Sequence, residues 1–164
     1  MTTASGALAA DPKAEIGASL ATATFGLGHN NDGSTFGIPS GGFGILQPGV
    51  YASFFIGPYV AIEPQVGLIW ASISGHSEHI VNFVGQVDYF VTGADSNSAY
   101  IFGAAGVIDV SGSSTTPKSV GGGVGYRIVA GDRLTFRIDG RFAHLTEGGG
   151  NTLSFGLTIG GVFQ

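Results

Sequence analysis

Residues 134–143 read Leu134-Thr135-Phe136-Arg137-Ile138-Asp139-Gly140-Arg141-Phe142-Ala143, and the alternation within them decides the fold. Leu134, Phe136, Ile138, Gly140 and Phe142 fall on one face, and Thr135, Arg137, Asp139, Arg141 and Ala143 on the other. A period of two belongs to a β-strand, whose successive side chains point to opposite faces of the sheet. Three charges on one face cannot be set against an apolar core without partners. Those partners have to come from other strands.

Working outward, the same two-faced pattern recurs along the chain. On the C-terminal side, Leu153, Phe155, Leu157, Ile159, Gly161 and Phe163 alternate with small or polar residues. On the N-terminal side, Val120, Gly122, Val124, Tyr126 and Ile128 oppose Gly121, Gly123, Gly125 and Arg127, and the short Ala130-Gly131-Asp132 turn makes this segment and 134–143 a hairpin. Further strands are expected at Tyr100–Val110, Val81–Val91, Val60–Ala71 and Leu46–Ile56, with the first at about Ala14–Phe25. In that first strand Ile16, Ala18 and Leu20 face away from Glu15 and Ser19, after which the pattern shifts toward Ala21, Ala23 and Phe25, as a β-bulge would shift it. The total is eight strands.

The connections expected between them are Gly26–Gly41, Gly57-Pro58, Ser72–Ser77, Gly93–Asn97, Ser111–Pro117, Ala130–Asp132 and His144–Gly150, those at one end tending to be longer. No membrane helix competes with this reading. The uncharged run between Asp32 and Glu63 is broken by Pro39, Pro48 and Pro58 and by repeated glycines.

Composition says which side the apolar face takes. Of 164 residues only 10% are charged, against roughly 25% in an average soluble domain, and 30 are glycine. Mean hydropathy is +0.34, which excludes a disordered chain. A water-soluble barrel would hide its apolar faces and show polar ones. Here that wall would be mostly Gly, Ala and Ser with few Lys or Glu, a poor surface for solubility. A membrane barrel inverts the arrangement, because lipid is its outer solvent and leaves no sheet edge unpaired. Glu15, Glu63, Gln65, Asp88, Asp109, Arg127, Arg137, Asp139 and Arg141 then form a polar network in the lumen. Tyr59, Trp70, Tyr89, Tyr100, Tyr126, Phe142 and Phe163 lie near strand ends, where aromatic rings favour the headgroup level.

The fold class is therefore all-β, an eight-stranded antiparallel up-and-down transmembrane β-barrel over 14–164, with 1–13 as an N-terminal tail or signal remnant. Met1–Ala10 ends in Ala-Leu-Ala-Ala like the small-residue end of an export signal, without a basic region or an adequate apolar core before it.

The chain resembles the eight-stranded outer-membrane β-barrel family that includes OmpA and OmpX. The likeness lies in Gly57-Pro58-Tyr59-Val60-Ala61-Ile62-Glu63-Pro64-Gln65-Val66-Gly67, in Gly121–Arg127 and in the terminal strand Leu153–Phe163. It spans about Ala14 to Gln164 and consists of pattern more than of motif. Members of the family usually end on an aromatic residue read by the assembly machinery, whereas here Phe163 is penultimate. The resemblance implies a bacterial outer-membrane location and membrane lipid as the partner.

Chemistry is not expected. His76, Ser77, Glu78 and His79 crowd one predicted loop, but a nucleophile needs a base and an orienting acid held in fixed geometry. The same residues offer a divalent metal no evident fourth ligand. His29-Asn30-Asn31-Asp32-Gly33 lacks the acidic pattern of a calcium loop and reads as a turn. With no cysteine there is neither a disulfide nor a thiolate site, and no cofactor is implied. Six basic against eleven acidic residues, a net charge of −5, offer no footprint for nucleic acid. Three functions stay open: a structural or surface-scaffold barrel of the outer membrane with a mostly plugged lumen, a narrow pore for ions or small solutes, and an extracellular tube or filament in which barrels pack on one another as a homo-oligomer.

Overall fold

A computed structural model describes residues 11–27, 34–37, 49–73, 76–111, 115–146 and 150–164. The described residues form nine strands: β1 (Ala14–Leu27), β2 (Ser34–Gly37), β3 (Val50–Ile56), β4 (Val60–Ile73), β5 (His76–Phe90), β6 (Ser98–Val110), β7 (Lys118–Ala130), β8 (Leu134–Leu145) and β9 (Asn151–Phe163). From β3 onward each strand pairs antiparallel with the next, β1 pairs with β3, and β9 returns to β1 from Ala14↔Phe163 to Leu27↔Asn151. The sheet is thus closed into the eight-staved barrel expected from the alternation. The nine strands make eight staves because β2 and β3 share one: β2 pairs with β1 at Thr22–Phe25 and β3 pairs with β1 at Ala14–Ala18.

The expected bulge is present. The β1–β9 register shifts between Ser19 and Ala21, so that Glu15 and Ser19 before it and Thr22 and Thr24 after it are all buried. The extra residue moves the inward positions from odd to even numbers, which is why the alternation in this strand breaks midway.

Two expectations about connections are corrected. The stretch Gly26–Gly41 is not all loop, since β1 runs to Leu27 and Ser34–Gly37 pairs with it. Four residues are too few to display a period. Ser72–Ser77 is not a loop either, because β4 and β5 stay paired as far as Ile73↔His76. His76–His79 therefore open a strand. His29–Gly33, Met1–Ala10 and Leu46–Pro48 lie outside the described residues.

The end carrying the termini is closed by tight connections. Gly57 and Gly131 take positive φ angles of 72° and 71° in three-residue turns that join Ile56 to Val60 and Ala130 to Leu134, a conformation that glycine adopts without a Cβ penalty. The β5–β6 connection folds across the opening. Ala94 is fully buried, its N–H donates to Pro58 O at 2.7 Å, and its carbonyl accepts from the Arg127 guanidinium.

Glycines decide what fits inside. Three inward aromatics each sit opposite a glycine of the neighbouring strand: Tyr51↔Gly17, Tyr100↔Gly125 and Phe102↔Gly123. A Cβ on Gly125 would lie 2.3 Å from the Tyr100 ring, one on Gly17 2.4 Å from Tyr51, and one on Gly123 2.6 Å from Phe102 and 2.1 Å from Gly140 O. The rings lie flat over glycine backbone, an aromatic–glycine pairing that pins strand register. Gly85 and Gly103 face outward, and a Cβ there would meet nothing within 4 Å. Gly125→Ala and Gly123→Ala are therefore expected to lose about 1–3 kcal/mol by overpacking. Gly85→Ala and Gly103→Ala should stay within about 0.5 kcal/mol of the parent. Urea unfolding midpoints of the four variants side by side check the contrast; equal losses at all four would mean that the rings are not seated on glycine.

Candidate functional site: the lumen network

The inward faces of β1, β4, β5, β7 and β8 bring charge into the barrel axis. Glu15, Glu63, Gln65, Asp88, Arg127, Arg137, Asp139 and Arg141 are all buried, each at 4% exposure or less. They are arranged around three arginines.

Arg127 is nearest the closed end. Its Nε donates to Glu15 Oε2 at 2.9 Å, Nη2 stands in ion-pair contact with the same oxygen at 2.8 Å, and its guanidinium lies over Phe55 and Phe90 at 5.7 and 6.0 Å from the ring centroids. Arg137 is the hub. Nε donates to Glu15 Oε1 at 2.9 Å, with Nη2 in ion-pair contact with the same oxygen at 2.9 Å, while Nη1 donates to Glu63 Oε2 at 2.6 Å and to Asp88 Oδ2 at 3.4 Å, and Nη2 to Ser53 Oγ at 2.9 Å. Its flat faces are covered by Tyr51 and Tyr100, with centroids at 4.8 and 5.8 Å. Arg141 is paired within its own strand: Nε and Nη2 donate to the two oxygens of Asp139 at 2.5 and 3.1 Å, and Nη1 donates to Gln86 Oε1 at 3.1 Å. Its guanidinium lies 4.9 Å from the Phe102 centroid.

Neutral groups complete the lattice. Tyr51 donates to Glu15 Oε1 at 2.8 Å, Ser53 Oγ to Glu63, Gln65 Nε2 to Glu63 Oε1 at 2.7 Å, and Gln86 Nε2 to Asp88 Oδ1 at 2.6 Å. Each charge is thus met by an opposite charge and a hydrogen bond, the condition under which buried ions are tolerated. The planar, five-donor guanidinium lets one residue bridge three carboxylates while its faces stack on rings.

Two residues expected in or around this site are elsewhere. Asp109 is exposed on the outer wall near the loop end of β6, and Tyr100, expected at a membrane interface, is 1% exposed inside the lumen. The two corrections have one cause. Both faces of β6 are apolar, so within the strand only Asp109 told them apart, and the register settles the matter by seating Tyr100 and Phe102 over Gly125 and Gly123. Lys118, His144 and Asn151 take corresponding outward positions near the loop ends of β7, β8 and β9, so Asp109 belongs to the polar rim where the apolar wall stops.

Tyr51, Ser53, Gln86, Phe90 and Phe102 belong to the site and were not singled out from sequence. Gln86, Phe90 and Phe102 occupy the inward parity of a strand that also carries an expected charge or, for β6, the inward tyrosine, and Tyr51 and Ser53 the inward parity of the uncharged β3. That parity was the signal available.

Tyr59, Tyr89, Tyr126, Phe142 and Phe163 face outward at about half exposure, and Tyr59 stacks on Tyr89 with centroids 6.3 Å apart. Tyr59, Tyr89, Tyr126 and Phe163 sit toward the closed end, Phe142 toward the loop end. The side chain of Trp70 lies outside the described residues. No group of three His, Asp or Glu arranged to hold a metal is found among the described residues. Among the described residues no helix is long and apolar enough to cross a membrane, which says nothing of strands.

Comparison with known proteins yields no matching family model and no matching curated protein. Among solved structures, the N-terminal β-barrel domain of Pseudomonas aeruginosa OprF matches with a TM-score of 0.56 at 12% identity, over 93% of this chain and 98% of that one. The attachment invasion locus protein Ail of Yersinia pestis matches at 0.48 and 10% identity, over 94% and 100% of the two chains. At such low identity the likeness is one of fold. The chain is a closed, eight-staved, all-antiparallel β-barrel of the OprF N-terminal type.

Proposed function

We propose that the protein is a small bacterial outer-membrane β-barrel whose lumen is plugged by its arginine network, and that its role is structural or that of a scaffold for surface loops. The observation that carries this reading is the inversion of polarity across the wall. Ile16, Phe54, Ile62, Leu68, Phe83, Val87, Ile101, Val124, Ile138 and Phe155 stand exposed outside while arginines and carboxylates are sealed inside. A wall of this kind in water would present a contiguous apolar surface far beyond the few hundred Å² that soluble monomers expose. Lipid removes that cost, and closure of the sheet pairs the backbone groups that an open edge would strand in the bilayer core.

The plugged lumen supports a structural role over conduction. Arg137, with Glu15, Glu63, Asp88, Ser53 and two tyrosine rings around it, fills the axis, and Ala94 lies beneath Arg127 at the closed end. Eight strands enclose a space that side chains fill.

The test is electrophoresis of native material extracted in mild detergent, with and without boiling, followed by planar-bilayer recording. The expected result is a compact unheated band that shifts on boiling and a bilayer without steady conductance. A protein soluble without detergent would overturn the membrane reading. A ladder or material too large to enter the gel would replace it with the self-assembled tube, and steady conductance would replace the plug with a pore.

A further inference from the structure

Every charge of the network has a partner, but the two signs are unequal in number. Lys and Arg together number six in the chain, and all six are described. Lys13, Lys118 and Arg133 are exposed, so only Arg127, Arg137 and Arg141 reach the interior. Four carboxylates stand against them there, Glu15, Glu63, Asp88 and Asp139, each at 3% exposure or less. No histidine of the described strands makes up the difference. His144 bonds Asn151 on the outer side of β8, and His76 and His79 stand nine or more residues from Asp88, about 30 Å along β5. One negative charge is thus left over among groups shut away from water, where an ionisable group more readily gives up its charge than keeps it unpaired.

The hydrogen bonds locate the surplus. Glu15 accepts from Arg127, Arg137 and Tyr51 at 2.8–2.9 Å, and both oxygens of Asp139 accept from Arg141. Glu63 accepts from Arg137 Nη1 at 2.6 Å, from Gln65 Nε2 at 2.7 Å and from Ser53 Oγ. Asp88 is served least. Its Oδ1 accepts from the neutral Gln86 at 2.6 Å, and its Oδ2 meets, at 3.4 Å, the same Arg137 Nη1 that is already bonded to Glu63. Glu63 and Asp88 therefore share one guanidinium nitrogen, and two like charges against one donor disfavour joint ionisation. The other charged or titratable groups around Asp88 are Tyr100 from β6, Asp139 and Arg141 from β8, Glu15 from β1 and Arg127 from β7, each already engaged as described. We infer that Glu63 and Asp88 bind one proton between them in the folded barrel at neutral pH, carried on Asp88, so that the arginine plug is electrically neutral. A protonated Asp88 adds a donor beside Glu63 where a second carboxylate would repel it. A metal ion does not fit in the proton's place, since the described residues group no three acidic or histidine side chains around a common point. The inference rests on burial and charge count and not on lipid outside the wall.

In the unfolded chain both side chains are ionised at neutral pH, so folding must draw the proton from solution. Refolding from urea in weakly buffered medium at neutral pH, followed with an indicator dye, should take up about one proton more per chain for the parent than for Asp88→Asn or Glu63→Gln. Asp132→Asn, in the exposed β7–β8 turn, should match the parent. Equal uptake by the parent and Asp88→Asn would overturn the proton, and a urea midpoint that then differed between sodium and potassium salts would put a metal cation in its place. Infrared spectra of the folded parent give a readout that needs no refolded variant. They should contain the C=O band of a buried carboxylic acid at neutral pH, and its absence would overturn the inference. Asparagine matches a neutral aspartic acid in size and charge, so the urea midpoint of Asp88→Asn should stay close to the parent's. Glu15→Gln, which removes the anion between two guanidinium groups, should lower it clearly. Equal losses for the two variants would mean that Asp88 is ionised in the folded barrel. Failure of the membrane reading would show in the detergent requirement and not in the proton count.

Discussion

Arg137→Met should lower the unfolding free energy of the refolded barrel by about 3–5 kcal/mol, the range for removing one member of a buried ion cluster. Methionine keeps the length and the apolar stem but none of the donors. Glu63 would then keep only Ser53 and Gln65, Asp88 would keep Gln86, and Glu15 would fall back on Arg127 and Tyr51. The Tyr51 and Tyr100 rings would face each other across an uncharged chain. Arg137→Lys should recover only part of the loss, because one ammonium cannot reach Glu15, Glu63 and Ser53 together as the guanidinium fork does. Arg133→Ala, in the exposed β7–β8 turn, is the control and should stay within about 0.5 kcal/mol. Urea titration in lipid vesicles, followed by fluorescence of the single tryptophan, Trp70, measures all three. A loss below about 1 kcal/mol for Arg137→Met would mean that the network fills space without holding the barrel together.

Val124→Arg addresses the outer wall. Val124 is the middle residue of β7 and is 62% exposed. In a bilayer, an arginine there meets the hydrocarbon midplane and should cost about 2–4 kcal/mol. Asp109→Arg, at the polar rim, should cost at most about 1 kcal/mol, since the penalty falls toward the interface. The difference between the two sites is the informative quantity, because general damage to folding would not follow depth. If Val124→Arg is as mild as Asp109→Arg, the wall is not facing lipid, and burial between subunits or exposure to water takes its place.

How legible the molecule was depends on where charge sat. In β8 the sequence Arg137-Ile138-Asp139-Gly140-Arg141 marks the inner face unambiguously, and β4 and β5 are marked by Glu63 and Gln65 and by Gln86 and Asp88. One charged residue at the wrong parity would be costly, so these strands reveal their orientation locally. β1 was legible through its bulge, since Ser19 and Thr22 are three apart and both buried. β6 was not. Its residues are apolar or small on both faces up to Asp109, and a terminal charge beyond the apolar wall says nothing about which side is inside.

The partners of the network were likewise out of reach. Glu15 and Arg137 are 122 residues apart, and either could have served several opposite charges of the right parity. Their pairing depends on barrel closure between β9 and β1 and on the stagger of β8 against both. So do the seats of Tyr51 on Gly17 and of Tyr100 on Gly125, which join residues of different strands.

By itself, then, the amino-acid order determined the strand period, the number of staves, the closure and the side on which most of the charge lies, because each follows from the local rule that unpaired charges and unpaired backbone cannot be placed in oil. Tertiary structure alone decided the facing of β6, the splitting of one stave into β2 and β3, and the choice of Arg137 as the hub. Those features depend on which side chains fit across from one another, a property of register and volume that no single strand carries.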